Sequence, residues 1–182
     1  MKLILFSLGT LILTYISRAS LKQPRSHGFY RFFAWESILA LFLVNVNFWF
    51  RDPLAWNQLI AWTLLAVSLI PLGLGLHSLK TRGRPNVTRA ADASLLAFEK
   101  TTQLVVTGIY RYIRHPLYSS LLLLTWGIFF KAPSLVGGAL AVAATIFLVY
   151  TAKADEEECV RYFGQEYLEY IKRTRRFIPL IY

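Results

Sequence analysis

The chain alternates long apolar blocks with short basic segments. Apolar residues dominate 3–17, 32–50, 54–79, 117–130 and 134–152, and the stretches between them carry nearly all the charge. A straight helix needs about 20 residues to cross the hydrocarbon of a bilayer, with a range near 17–25. The second, third and fifth blocks reach that length; the first and fourth need their flanks or a thinned bilayer. Blocks of this kind predict membrane spans rather than the core of a soluble protein. The expected fold is therefore all-α, a polytopic membrane helix bundle of five spans. "KAPS" at 131–134 allows only a tight turn, which makes the fourth and fifth blocks a C-terminal helical hairpin. Beyond it, "VRYFGQEYLEYIKRTRRFIPLIY" sets Val160, Phe163, Tyr167 and Tyr170/Ile171 on one helix face, with charges opposite. That pattern predicts an amphipathic cytosolic tail helix, on the membrane surface or over the feet of the hairpin. One integral-membrane domain is expected over 1–182, with three spans and a loop in 1–100 and the hairpin and tail in 101–182.

Composition strengthens this reading. Hydrophobic residues make up 55% of the chain, above the ~45–50% usual for soluble domains. The net charge of +10 would suit nucleic acid, but the basic residues lie between apolar blocks rather than along one face, which argues against that partner and for a lipid bilayer. With the N-terminus outside, the inside segments 18–31, 80–116 and 153–182 hold four, seven and six basic residues, 17 of the 20. The positive-inside rule thus predicts a multi-pass protein, N-terminus outside and C-terminus cytosolic. A cleaved signal peptide ending near Ser17-Arg18-Ala19 is the alternative for the first block. Only Lys2 precedes that block while four basic residues follow it, which favours an uncleaved helix. The lone Cys159 excludes an internal disulfide and multi-cysteine metal sites, and it reads as a small apolar packer. No metal spacing, Walker loop or serine-nucleophile motif is present. "GLGLH" at 73–77 lacks the third glycine of a dinucleotide fingerprint, and "NVT" at 86–88 falls on the cytosolic side, out of reach of glycosylation.

Two polar stretches stand out. In "GIYRYIRHPLYSS" (108–120), Pro116 suits a first helical turn and pushes His115 out of the helix, so His115 sits at a helix entrance with free N–H groups and a positive dipole. Such an entrance accepts a carboxylate or phosphate; it also reads simply as a helix cap with snorkelling arginines. In "KADEEE" (153–158), four consecutive acids read either as a solvated helix start or as a cation site turned toward the other foot of the hairpin. The hairpin brings these stretches, about 40 residues apart, close together. Glu36, Asn45 and Asn47 in the second block and His77 at the end of the third are costly in a membrane, so they are expected to face other helices or a cavity; Glu36 and His77 lie where a substrate would enter.

From "LVVTGIYRYIRHPLY", the hairpin, the acidic cluster, "YFGQEYLEYIKR" and the terminal proline, residues 104–179 resemble the isoprenylcysteine carboxyl methyltransferase family of integral-membrane enzymes. The first half is similar only in being helical and membrane-spanning. The resemblance implies S-adenosyl-L-methionine as cofactor, contacted by Thr102, Gln103, Leu104 and Val105, by Tyr110, by His115, Pro116, Leu117 and Tyr118, and by Asp155 or Glu156. The family alignment favours Asp155; side-chain length favours Glu156. Glu157 and Glu158 are expected to matter less, Glu158 lying in the solvated helix. The family's substrate-carboxylate arginine falls at Thr151, with Lys153 the basic residue nearby, and an expected upstream glutamine falls at Leu95. The implied activity is methyl transfer to a lipophilic small molecule or lipidated substrate, with the carboxylate of a prenylcysteine-like compound as first choice. A phospholipid or other lipophilic amine or thiol is the alternative acceptor. A nicotinamide-dependent membrane reductase and a non-enzymatic scaffold are the other readings. No residue is assigned a catalytic role.

The topology is tested by single cysteines in intact cells. Arg84→Cys and Thr174→Cys are expected to resist an impermeant thiol reagent while Asp52→Cys labels; labelling of Arg84→Cys from outside contradicts the orientation.

Overall fold

A computed structural model describes residues 1–83, 96 and 99–179. It contains α1 (Lys2–Leu21), α2 (His27–Asn45), α3 (Trp56–Arg82), α4 (Pro116–Lys131), α5 (Leu135–Phe163) and α6 (Gln165–Arg173). Short 3-10 turns at Val46–Phe48 and Gly108–Arg111 follow α2 and precede α4. Among the described residues there are no β-strands; an isolated bridge pairs Ile113 with Arg175. The residues 86–88 and Leu95 discussed above lie outside the described residues.

Four helices are long and apolar enough to cross a membrane: α1, α2 with its following turn, α3 and α5. The fourth block forms α4 of only 16 residues, about 24 Å, short of the ~30 Å hydrocarbon. The five expected spans are thus four by length, with α4 as a short member. The first block gains its length from its flank, since α1 runs on to Leu21. The second helix starts earlier than its apolar block, because Ser26 caps it by accepting the Phe29 N–H at 3.1 Å.

The larger departure is in α5. Its 29 residues carry the acids 155–158 as a continuation of the membrane helix, not as a new helix start. The helix stops at Gly164, whose φ of 60° and ψ of −131° suit glycine and break the expected single tail helix in two. Val160 and Phe163 therefore belong to α5, while Tyr167 and Tyr170 form the buried face of α6.

α3 packs chiefly along α4 and α2 along α5, with α4 and α5 joined through 132–134 and packed together; α1 rests on α2 and is largely exposed. Small residues allow close approach, as membrane helices require. A Cβ on Gly75 would sit 3.1 Å from Pro116, and one on Gly127 2.9 Å from Leu65. One core cluster joins Ala34, Tyr118, Leu148, Ala152 and Phe177; a second joins Ile38, Leu41, Ile128, Ala141 and Ala144.

The far end of α4 explains several polar residues in apolar blocks. A helix end leaves four carbonyls unpaired, which is costly away from water. Here Asn45 Nδ2 donates to the Ile128 carbonyl at 2.8 Å, Asn57 Nδ2 to Phe130 at 3.1 Å and Gln58 Nε2 to Lys131 at 3.0 Å. The Ala132 N–H donates to Phe129 at 3.2 Å. Lys131, 1% exposed, donates to Gln58 Oε1 at 2.9 Å and lies 3.2 Å from the Trp62 ring centroid. The other polar expectations divide. Asn47 and His77 are exposed, and Glu36 accepts from Thr10 Oγ1 at 2.8 Å between α1 and α2. Neither His77 nor Glu36 lines the cleft described next.

Candidate active site

The start of α4, the last turns of α5 and α6 meet at one cleft, and the C-terminal segment 174–179 packs beside it. Its walls include Leu79, Glu99, Leu104, Val105, Tyr110, Arg114–Tyr118, Asp155, Glu158, Cys159, Phe163, Tyr167 and Tyr170. Its cavity volume is about 110 Å³, below the ~300–1,000 Å³ of most small-molecule sites.

Adjacent acids on α5 point about 100° apart and do different things. Glu156 is buried and points at three cations. Its Oε1 accepts from Arg114 Nε at 2.8 Å, Arg176 Nε at 3.1 Å and His115 Nε2 at 3.2 Å, and its Oε2 from Arg176 Nη2 at 2.6 Å. It does not line the cleft. Asp155 does: its Oδ2 faces His115 Nδ1 and the Tyr118 hydroxyl, each at 3.4 Å, and its Oδ1 has the Cys159 thiol at 3.8 Å. Both ring nitrogens of His115 thus face carboxylates. Burial alone would lower its pKa, but hydrogen bonds to Asp155 and Glu156 outweigh burial and raise it above the ordinary value.

The segment 174–179 packs against the entrance of α4: Arg114 and His115, just ahead of the helix, donate their backbone N–H groups to the carbonyls of Arg175 (2.8 Å) and Arg176 (3.1 Å). Ser119 Oγ donates to the Phe177 carbonyl at 2.8 Å, and Phe177 is buried in the core. The Arg114 guanidinium also donates to the Thr174 carbonyl, capping the end of α6. Tyr170 donates to the Tyr110 carbonyl at 2.6 Å; burial pushes its pKa upward, so it stays a donor.

Of the residues implied by resemblance, Leu104, Val105, Tyr110, His115, Pro116, Leu117, Tyr118 and Asp155 come together around the cleft. Thr102 and Gln103 lie beside it, their backbone N–H groups bonded to the Gly83 carbonyl at 3.1 and 3.4 Å. Thr151 is buried and donates to the Phe147 carbonyl at 2.7 Å, and Lys153 is exposed with its Nζ 5.8 Å from the Tyr150 ring centroid, so neither lines the cleft. Lys153, two positions from Asp155, is turned to another face of α5, whereas Thr151 shares the Asp155 face one turn deeper and is fully buried.

The sequence reading missed Glu99, Glu158, His27 and Arg31. Glu158 is not a solvated acid. Its Oε1 accepts the His27 backbone N–H at 2.9 Å, capping α2, and its Oε2 meets His27 Nδ1 at 2.6 Å. Glu99 accepts from Arg31 Nη1 and from the Leu96 N–H, and His27 Nε2 stands 3.6 Å from it. Burial would raise the Glu99 pKa, but Arg31 and His27 lower it, so Glu99 stays ionised. The available signal was an isolated His27 and Arg31 at the start of an apolar helix, where buried charge demands partners.

A family model for phospholipid methyltransferase matches residues 61–166, more than half of the chain, and the chain belongs to that family of membrane methyltransferases. It is 29% identical over 136 residues to Delta(14)-sterol reductase of Mus musculus, covering 72% of this chain and 32% of the relative. Protein-S-isoprenylcysteine O-methyltransferase of Homo sapiens is 32% identical over 83 residues, 44% of this chain and 29% of the relative. Methanethiol S-methyltransferase 1 of Bradyrhizobium diazoefficiens is 32% identical over 73 residues, 39% and 24%. The chain thus spans 24–32% of the length of these curated relatives. No solved structure matches.

Because its folded pKa is raised, His115 contributes stability that is fully present below its unfolded value of about 6.5 and is lost as pH rises through the folded value. Thermal unfolding of the detergent-solubilised parent, minus that of His115→Gln, is expected to be constant at acid pH and to shrink above neutrality. A difference that grows with pH contradicts a charged His115.

Proposed function

We propose that the protein is an S-adenosylmethionine-dependent methyltransferase acting on a lipophilic acceptor, with its cleft at the cytosolic membrane face. The observation that carries this reading is the convergence of Tyr110, His115, Pro116, Tyr118 and Asp155, distant in sequence, on one cleft. The lining suits the cofactor. Asp155 Oδ1, 3.8 Å from the Cys159 thiol, offers an acceptor for an ammonium or ribose hydroxyl. Tyr110, Tyr118, Tyr167 and Tyr170 present aromatic groups, whose faces stabilise a cation by roughly 0.5–2 kcal/mol. Leu79, Leu104, Val105, Leu117 and Phe163 provide apolar surface for a base.

When bound, the cofactor supplies an electrophilic methyl on a sulfonium. The residues of this chain then have two tasks, alignment and exclusion of water, which together contribute about 7–11 kcal/mol in well-oriented reactions. The buried tyrosines and α6 exclude water, and Asp155 anchors. A carboxylate acceptor of the prenylcysteine kind, the first choice from resemblance, finds little support among the described residues: of the lining cations, Arg114 is bound to Glu156, and His115 lies between Asp155 and Glu156. An amine or thiol acceptor needs no such cation; Glu99 and Glu158 are themselves paired with Arg31 and His27, which leaves Asp155, beside His115, as the lining acid it would meet. In that case the new N–C or S–C bond would form as the donor's C–S bond breaks, with the acceptor entering as neutral amine or thiolate. Burial would raise the Asp155 pKa but the contact with His115 lowers it to about 2, so Asp155 serves as an anchor and not as the base.

A second reading, a nicotinamide-dependent reductase, is favoured by the sterol reductase match over 72% of the chain. Calorimetric titration in detergent separates the two. S-adenosylmethionine and S-adenosylhomocysteine are expected to bind and NADPH not to, and Asp155→Asn is expected to weaken the former by about 1–3 kcal/mol. NADPH binding without binding of either adenosyl compound overturns the proposal.

A further inference from the structure

The cleft has two acidic walls that the amino-terminal half of the chain holds in place. Glu158, on α5, reaches α2 through two contacts to one residue, the His27 backbone N–H at 2.9 Å and ring Nδ1 at 2.6 Å. Glu99 reaches α2 through Arg31 Nη1, and His27 Nε2 lies 3.6 Å from its carboxylate. His27 is 0% and Arg31 2% exposed. Neither lines the cleft, while both acids do. Glu99 also fixes backbone. Its carboxylate accepts the Leu96 N–H at 2.8 Å, its carbonyl accepts the Thr101 N–H at 2.7 Å, and the next amides, Thr102 and Gln103, bond to the Gly83 carbonyl at the end of α3. The segment leading into Leu104 and Val105 is therefore anchored at two points, α3 and α2. The family match begins at residue 61, so α2, and with it His27 and Arg31, lies outside the region that defines the family.

We propose that His27 and Arg31 are positioning residues of the cofactor cleft: acting through Glu158 and Glu99, they set the distance between α5 and the segment 99–105, and so the shape of the site. A buried ion pair adds little net stability over a well-packed apolar pair but is costly to break on one side. Such a chain of charges is thus poorly explained as a means of holding α2 down, since Ala34, Ile38 and Leu41 already bury α2 in the core. It does impose directional geometry on two cleft carboxylates, which apolar packing does not.

The proposal rests on the cofactor reading above, and its test has one arm independent of it. Affinity for S-adenosylhomocysteine is measured by calorimetry, well below each unfolding midpoint, for the full chain carrying His27→Gln, Arg31→Gln, Arg31→Lys or the charge-neutral pair Arg31→Gln/Glu99→Gln. Gln58→Leu, at the opposite end of the bundle, is the stability control. Hydrogen exchange of the amides of 101–105 is followed in the same proteins without ligand. His27→Gln and Arg31→Gln are expected to weaken binding about 10-fold or more, with Arg31→Lys recovering part of the loss. Both glutamine variants should expose the 101–105 amides to faster exchange, whereas Gln58→Leu lowers the midpoint and changes neither readout. The double variant keeps the pair folded by removing both charges and should still lose affinity. Unchanged affinity and exchange in the folded His27 and Arg31 variants overturn the proposal. So does affinity that follows the midpoint equally in Gln58→Leu. If the parent binds no adenosyl compound, the cofactor reading fails, and the exchange arm alone decides whether α2 positions the segment.

Discussion

The site is organised around one carboxylate. Glu156 receives Arg114 and His115 from the start of α4 and Arg176 from the C-terminal segment, with contacts of 2.6–3.2 Å. Three cations so close together repel one another, and in a partly dehydrated setting each unit-charge contact at ~4 Å is a matter of several kcal/mol at an effective dielectric near 20. Glu156 turns that repulsion into a tie between three parts of the chain. Removing it would leave buried cations without their anion, which is far more costly than never having had the cluster. Asp155, one residue earlier, is free to face the cleft because Glu156 takes the structural work. That division follows from the ~100° step between helical neighbours.

The same constraint governs both ends of α4. A short helix in an apolar bundle cannot leave its terminal backbone groups to water. At its start, the carbonyls of Arg175 and Arg176 take the Arg114 and His115 N–H groups; at its end, the side-chain amides of Asn45, Asn57 and Gln58 take the carbonyls. These partners fix α4 in register against α2, α3 and the C-terminal segment. The residues of "RHPLY" therefore hold their positions through contacts made far from them in sequence. The C-terminal segment does not line the cleft but braces the residues that do.

Much of this was legible in the sequence. Block length and charge placement pointed to the membrane helices, and the tight "KAPS" connection pointed to the meeting of "RHPLY" with the acidic cluster. Less legible was the course of α5 through "KADEEE". Four acids after an apolar run look like a helix exposed to water, and only tertiary partners, His27 for Glu158 and the three cations for Glu156, make the helix continuous there. The role of Glu99 was hidden for a similar reason: its partners Arg31 and His27 lie some 70 residues away, and no local periodicity reports such a pairing. Asn45 and Asn47 are nearly indistinguishable by pattern, yet one is buried on a carbonyl and the other is exposed. That distinction depends on where α4 ends.

The central claim is that the start of α4, the last turns of α5 and α6 enclose the methyl donor. Photo-crosslinking of S-adenosylmethionine carrying a tritiated methyl group to the solubilised protein, followed by peptide mapping, tests it most directly. The account predicts label on residues 104–118 or 155–170, competed away by S-adenosylhomocysteine. Competed label confined to α1 or to the outer ends of α2 and α3 would contradict it.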